Sequence, residues 1–203
     1  SFGFSTYEDF RFKLEADHQL RLNQIRVRLF GETPQKFLAK MDKAMDEMRT
    51  LNMGGTAIGT GINADEGYLR RIVPNLTEIS GMDFIQAFDL IDSTQNLDPF
   101  VAVSGAVKAC AVTLSKMSND LRLMSSGPRT GFGEINLPAK QNGSSIMPGK
   151  VNPVIPEVVS QVAFHVIGND TAITMAAEAG QMELNAFEPV VFYSLFDSID
   201  TLK

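Results

Sequence analysis

The stretch GSSIMPGKVNP, from Gly143 to Pro153, gathers the parts of an anion grip into eleven residues. Two glycines let backbone amides turn inward together. Ser144 and Ser145 bring hydroxyls, Lys150 brings a compact positive charge and Asn152 a planar amide donor. The residues after Asn152 read as the start of a helix, whose first amides and dipole add partial positive charge. These groups converge on a carboxylate. A solvated Gly/Ser loop capping a helix has a similar composition, but Met147 and Pro148 restrict the chain between the two chemically active ends.

Such a loop needs rigid supports. Before it, FVAVSGAVKACAVTLSKMSNDLRLM places apolar residues at Phe100, Val103, Val107, Cys110, Leu114, Met117, Leu121 and Met124. The steps alternate three and four without a break, which predicts a long helix whose narrow seam wants nearly parallel neighbours. Asp98 as cap and Pro99 open it; Gly127 and Pro128 close it. After the loop, PEVVSQVAFHVIGNDTAITMAAEA predicts a second helix with Val159, Val162, Val166, Ile173 and Ala177 on one side. Gly168 and Asn169 mark a kink or a close helix contact in its middle. A third helix, ELNAFEPVVFYSLFDSIDTLK, offers Leu184, Phe187, Val191, Leu195 and Ile199 to the core with Phe192 and Phe196 alongside, and Pro189 implies a bend or a new start.

Upstream, PQKFLAKMDKAMDEMRTLN reads as an amphipathic helix through Phe37, Met41, Met45 and Met48, the methionines serving as core filler. Residues 7–29 read as helical. The glycine-rich LNMGGTAIGTGIN has neither GxGxxG after a strand nor GK[ST], so it reads as a wide turn and not as a nucleotide cradle. ADEGYLRRIVPNLTEISG and DFIQAFDLIDST read as two shorter helices. No strand alternation and no repeat is visible. The fold class expected is all-α, a bundle of long helices joined by a few unusual loops.

Composition narrows the function classes. The 203 residues carry a formal net charge of −6, and 44% are hydrophobic. That suits a globular domain or part of a larger subunit, and it offers no basic stripe for nucleic acid. No stretch reads as the roughly 18 uncharged apolar residues of a membrane span. The N-terminal SFGFSTYEDFRFKLEAD lacks the pattern of a signal peptide. Cys110 is the lone cysteine, which forbids an internal disulfide and fits a reducing cytoplasm; on the seam it reads as a small core residue. His165 reads as structural, and no His/Asp/Glu cluster has the spacing of metal ligands.

GSSIMPGKVNP resembles the signature GSSxMPxKxNP of the fumarase/aspartase superfamily. LNMGGTAIGTGIN, MSNDLRLMSSGPRTGFGEINLPAKQ, VIGNDTAIT and EAGQMELNAFEPV are similar to the same family's central region, and the likeness runs from about Phe37 to Lys203. NPVIPEVVSQVAFHVIGND and AAEAGQMELNAFEPV look like the aspartase branch more than the fumarase branch. The resemblance implies reversible deamination of L-aspartate to fumarate and ammonia without an organic cofactor. It implies that Ser144 takes the Cβ proton as an alkoxide, and that Lys150, Asn152 and Ser145 bind a substrate carboxylate. Glu157 matches the family's carboxylate that pairs with an active-site histidine from elsewhere in a homotetramer; it reads equally as a first-turn acid favoured by the helix dipole.

The same resemblance sets expectations about what else a site needs. The family builds each site from three regions on three subunits, and this chain matches only the third. The first and second regions and the small C-terminal domain find no counterpart, and residues 1–36 match nothing. His18 lies in no matching context. The division expected is therefore an unplaced helical segment, 1–36, and a central bundle domain, 37–203. A class II fumarase-type hydratase and a catalytically incomplete helical scaffold that assembles through the seam are the alternatives.

Overall fold

The computed structural model describes residues 34–203. Helix α1 (Pro34–Glu47) leads into strand β1 (Thr50–Leu51), helix α2 (Glu66–Ser80), strand β2 (Ile85–Gln86) and a single turn, α3 (Asp92–Gln95). Three helices then form the body: α4 (Asp98–Met124), α5 (Val154–Glu178) and α6 (Glu188–Leu202). The reading of residues 7–29 as helix and of His18 falls outside the described residues.

The all-α architecture follows from how α4, α5 and α6 bury one another. α4 packs on α5, α5 on α6, and α1 lies against α4. Side-chain bonds pair Ser104 with Asp170, and Arg122 faces Glu157, so α4 and α5 run antiparallel. The core joins Val103, Val107 and Ala111 of α4 to Ala163, Val166 and Ile173 of α5 and to Val191 and Leu195 of α6. Each buried Val, Ile or Leu contributes about 1.5–3 kcal/mol. Phe100 meets Phe192 edge-on, with ring centroids 5.1 Å apart.

The long seam helix forms as its period predicts, but the buried face is rotated from it. The face turned inward carries Val103, Ser104, Val107, Ala111, Ser115 and Ser118. Cys110, Leu114, Met117 and Leu121 stay half-buried. Small residues let the backbones of α4 and α5 approach closely, and that contact wins over the bulkier stripe. Asp98 is the first helical residue and not the cap, which falls on Leu97. α4 is long and apolar enough to cross a membrane by length and composition, contrary to expectation. Here it is a bundle helix, with serines on its buried face and Lys108 bonded to Asp170 of α5.

Other expectations change in the same way. On α6, Val191 and Leu195 are buried, whereas Phe196 and Ile199 are exposed, as are Leu184 and Phe187 before it. Pro189 marks a new start, since the chain turns at 179–187 and Asn185 bridges the gap. The Asn185 side chain donates to the carbonyls of Ala176 and Ala177 and accepts from the Phe187 amide. Gly168 makes no close contact. On α1, Ala44 is buried, Met41 packs against the core as does Met48 just after the helix, and Met45 is half-exposed.

DFIQAFDLIDST is not a helix. Ile85 and Gln86 pair in parallel with Thr50 and Leu51, and only Asp92–Gln95 is helical. Gln86 also donates to the carbonyl of Met53, which ties this ribbon to the glycine-rich turn. That turn is tight where Gly59 meets the backbone of Leu90 and Ile91, a contact that leaves no room for a Cβ.

Candidate active site

The loop between α4 and α5 is pinched shut. Asn142 and Val151 form an antiparallel bridge, and the Gly143 amide donates to the Lys150 carbonyl at 3.1 Å. A Cβ on Gly143 would lie 2.4 Å from that carbonyl oxygen, so only glycine permits the pinch. Gly149 takes the left-handed conformation at the other limb, with φ of 78°. Inside the ring the Lys150 amide donates to the Met147 carbonyl.

Ser144 stands at the base of this ring, partly buried. Its Oγ accepts hydrogen bonds from the amides of Ile146, at 3.1 Å, and Met147, at 3.3 Å. Two backbone donors aimed at one hydroxyl oxygen favour negative charge on that atom. Ser145 and Lys150 are exposed, and Asn152 is half-buried just before α5. Pro153 then caps the helix and Pro156 is buried against the bundle, which fixes where Glu157 emerges.

A cleft of about 720 Å³ lies where the last turn of α4 meets the first turn of α5. Lys150 and Glu157 line it, together with Ser125, Ser126 and Asn136. Ser144, Ser145 and Asn152 do not. The segment that follows α4 folds back to close one wall. The Glu134 amide donates to the Met124 carbonyl, and the amides of Phe132 and Gly133 donate to Ser126 Oγ and to its carbonyl. Backbone contact at Gly131 is too close for any other residue.

Arg122 is the lining residue that the motif reading missed. It sits in the last turn of α4, with its guanidinium 3.8 Å from the Glu157 carboxylate. The sequence offered only a basic residue in the last turn of the helix that leads to the loop, with nothing to tie it to Glu157. Arg122 complements the negative end of α4, and Glu157 the positive end of α5. Among the described residues no group of three or more His, Cys, Asp and Glu side chains is placed to hold a metal ion.

Residues 29–168 match the sequence model of a family described as lyase. The chain belongs to this lyase family, the fumarase/aspartase superfamily. It is 58% identical over 194 residues to an aspartate ammonia-lyase of Pseudomonas fluorescens, a match that covers 95% of this chain and 40% of the relative. The aspartate ammonia-lyase of Bacillus subtilis strain 168 is 47% identical over 193 residues, again covering 95% of this chain and 40% of the relative. Both matches are longer than the stretch 37–203 and so reach into the segment before Phe37.

Solved structures agree on the fold. A fumarate lyase:delta crystallin of Brucella melitensis, bound to cobalt, superposes with a TM-score of 0.79 at 50% identity, over 83% of this chain and 36% of that one. A class II fumarase of Schistosoma mansoni gives 0.72 at 32% identity, over 83% of this chain and 40% of that one. The chain thus spans about two fifths of the length of the curated relatives it matches.

Proposed function

We propose that this chain is the central helical part of an aspartate ammonia-lyase, which converts L-aspartate to fumarate and ammonia. The observation that carries this reading is Ser144 Oγ held by two backbone amides in a loop closed on itself. The names and identities of the relatives from Pseudomonas and Bacillus support the choice of aspartate over malate.

A serine hydroxyl is a feeble base, so Ser144 acts as an alkoxide. The amides of Ile146 and Met147 stabilise its charge, as an oxyanion hole does. The alkoxide takes the Cβ proton, and the C–H electron pair moves into the adjoining carboxylate to give an aci-carboxylate. That electron pair returns to form the Cα=Cβ bond as the C–N bond breaks. Ammonia departs, and the proton held on Ser144 passes to it or to water. Lys150, Asn152 and Ser145 bind the carboxylate on which charge develops. Glu157 orients a histidine supplied by another copy, so each site is completed within a homotetramer. The lone cysteine fits work in a reducing cytoplasm.

The test is to incubate the purified chain with L-aspartate, and separately with L-malate, and to follow fumarate by its ultraviolet absorbance. Fumarate is expected from L-aspartate, with a loss on the order of 10²-fold or more in Ser144→Ala. Fumarate from malate alone would select a hydratase. A folded helical chain that makes fumarate from neither would carry the loop without a complete site.

A further inference from the structure

Asn142 is the one asparagine of the chain that a glycine follows. That pair has a chemistry of its own. The nitrogen of the next peptide bond attacks the asparagine side chain when no Cβ stands in the way, and Gly143 has none. Asn142 is exposed, and among the described residues its side chain makes no hydrogen bond. It is free to turn toward that nitrogen.

The pinch holds the nitrogen elsewhere. The Gly143 amide donates to the Lys150 carbonyl at 3.1 Å, beside the bridge between Asn142 and Val151. To attack, the nitrogen must give up its proton and leave that carbonyl, so the ring must first open. Such opening is local and costs less than global unfolding. Gly143 therefore has two opposed effects. Its bare Cα permits the contact with Lys150, where a Cβ would lie 2.4 Å from the carbonyl oxygen. The same bareness makes Asn142 reactive whenever the contact opens.

We propose that Asn142 is a site of spontaneous deamidation gated by the pinch, so that the loop records how often it has opened. The only co-reactant is water. The Gly143 nitrogen bonds to Cγ of Asn142, and the bond from Cγ to the side-chain nitrogen breaks. Ammonia leaves with the Gly143 amide proton, and a cyclic succinimide remains. Water then cleaves the ring at either carbonyl. Cleavage at Cγ gives aspartate; cleavage at the main-chain carbonyl gives isoaspartate, with an extra methylene in the main chain. Both products carry a carboxylate, ionised at neutral pH, where a neutral amide stood. Isoaspartate also lengthens one limb of the ring and spoils its register against Val151. The site stands apart from the lyase reading.

Peptide mapping of the full chain tests this. Trypsin cuts after Lys140 and Lys150, so a single peptide, 141–150, carries the site. The chain and a synthetic peptide of the same ten residues are held at mildly alkaline pH. Both are sampled by mass spectrometry, with chromatographic separation of the two products. Asn142 is expected to convert ahead of every other asparagine in the chain. The folded chain is expected to react about 5-fold more slowly than the peptide or slower still, the population factor of one ordinary hydrogen bond. Gly149→Val keeps the Asn142–Gly143 pair but strains the other limb, where φ is 78°. It is expected to speed hydrogen exchange across the loop and to bring deamidation toward the peptide's rate.

Conversion of another asparagine ahead of Asn142 overturns the site. Equal rates in the folded chain and the peptide overturn the gating, as does a Gly149→Val chain that exchanges faster without deamidating faster. The chain unfolded in urea decides the gating without any variant. It is expected to match the peptide, and a rate there no higher than in the folded chain overturns the proposal.

Discussion

Asp170 lies 5% exposed between the two longest helices. Ser104 donates to one of its oxygens at 2.8 Å and Lys108 to the other at 2.5 Å. The Lys108 side chain is 42% exposed, so the pair is half-buried and adds little net stability, yet removing the lysine strands the buried Asp170 charge. Lys108→Met is therefore expected to destabilise the chain by about 1–3 kcal/mol, read from urea midpoints at constant m value. The double variant Lys108→Met/Asp170→Leu is expected to recover most of that loss. None of this was legible in the sequence, where Asp170 was one more residue in VIGNDTAIT. The loop was more legible as a constrained segment. Its glycines and Pro148 set it apart between two helix signals, and the structure closes it on itself at Gly143 and Lys150. The pairing of Arg122 was not legible, since its partner Glu157 lies 35 positions away and only the antiparallel pairing of α4 with α5 brings them together.

At the scale of elements, α5 and α6 are joined by a polar bridge. Asn169 donates to Asp197 at 2.8 Å and to Ser198 at 3.1 Å, and His165 pairs with Asp197 as well. His165, read as structural, is part of this contact. The bonds from Asn169 and then His165 hold the Asp197 carboxyl below its usual range. A carboxyl lowered on folding stabilises the fold above its unfolded pKa and loses that contribution as pH falls through the folded value. Asn169→Ala is expected to raise the folded value toward the unfolded one, so Tm should fall less steeply between about pH 5 and pH 2 than in the parent chain. The helices themselves were plain in the sequence, because a 3.6-residue period leaves a mark over 25 or 27 residues. Their inward faces were less plain. Ser115, Ser118 and Ser160 are buried where helices come close, and hydropathy gives them no weight. The ribbon at Ile85 was lost for another reason: its partner, Thr50, lies 35 residues upstream and outbids the local helical pattern.

The molecule as a whole leaves apolar side chains on its outer faces. Val158, Phe164 and Met175 of α5 and Tyr193 and Phe196 of α6 are all more than half exposed. If the proposed tetramer forms through these helices, charges there should block it. Phe164→Glu with Phe196→Glu is expected to give a folded monomer by sedimentation velocity; an unchanged mass would place the interface elsewhere. A charge at Val107, which is 4% exposed inside the monomer's own core, would instead unfold the chain. The pinch at Asn142 and Val151 has a consequence of another kind. Tying the two ends of a chain costs conformational entropy, and here that cost falls on folding. A ligand that reaches the ring meets a segment already closed and internally bonded, so little of its binding free energy is diverted to ordering the backbone.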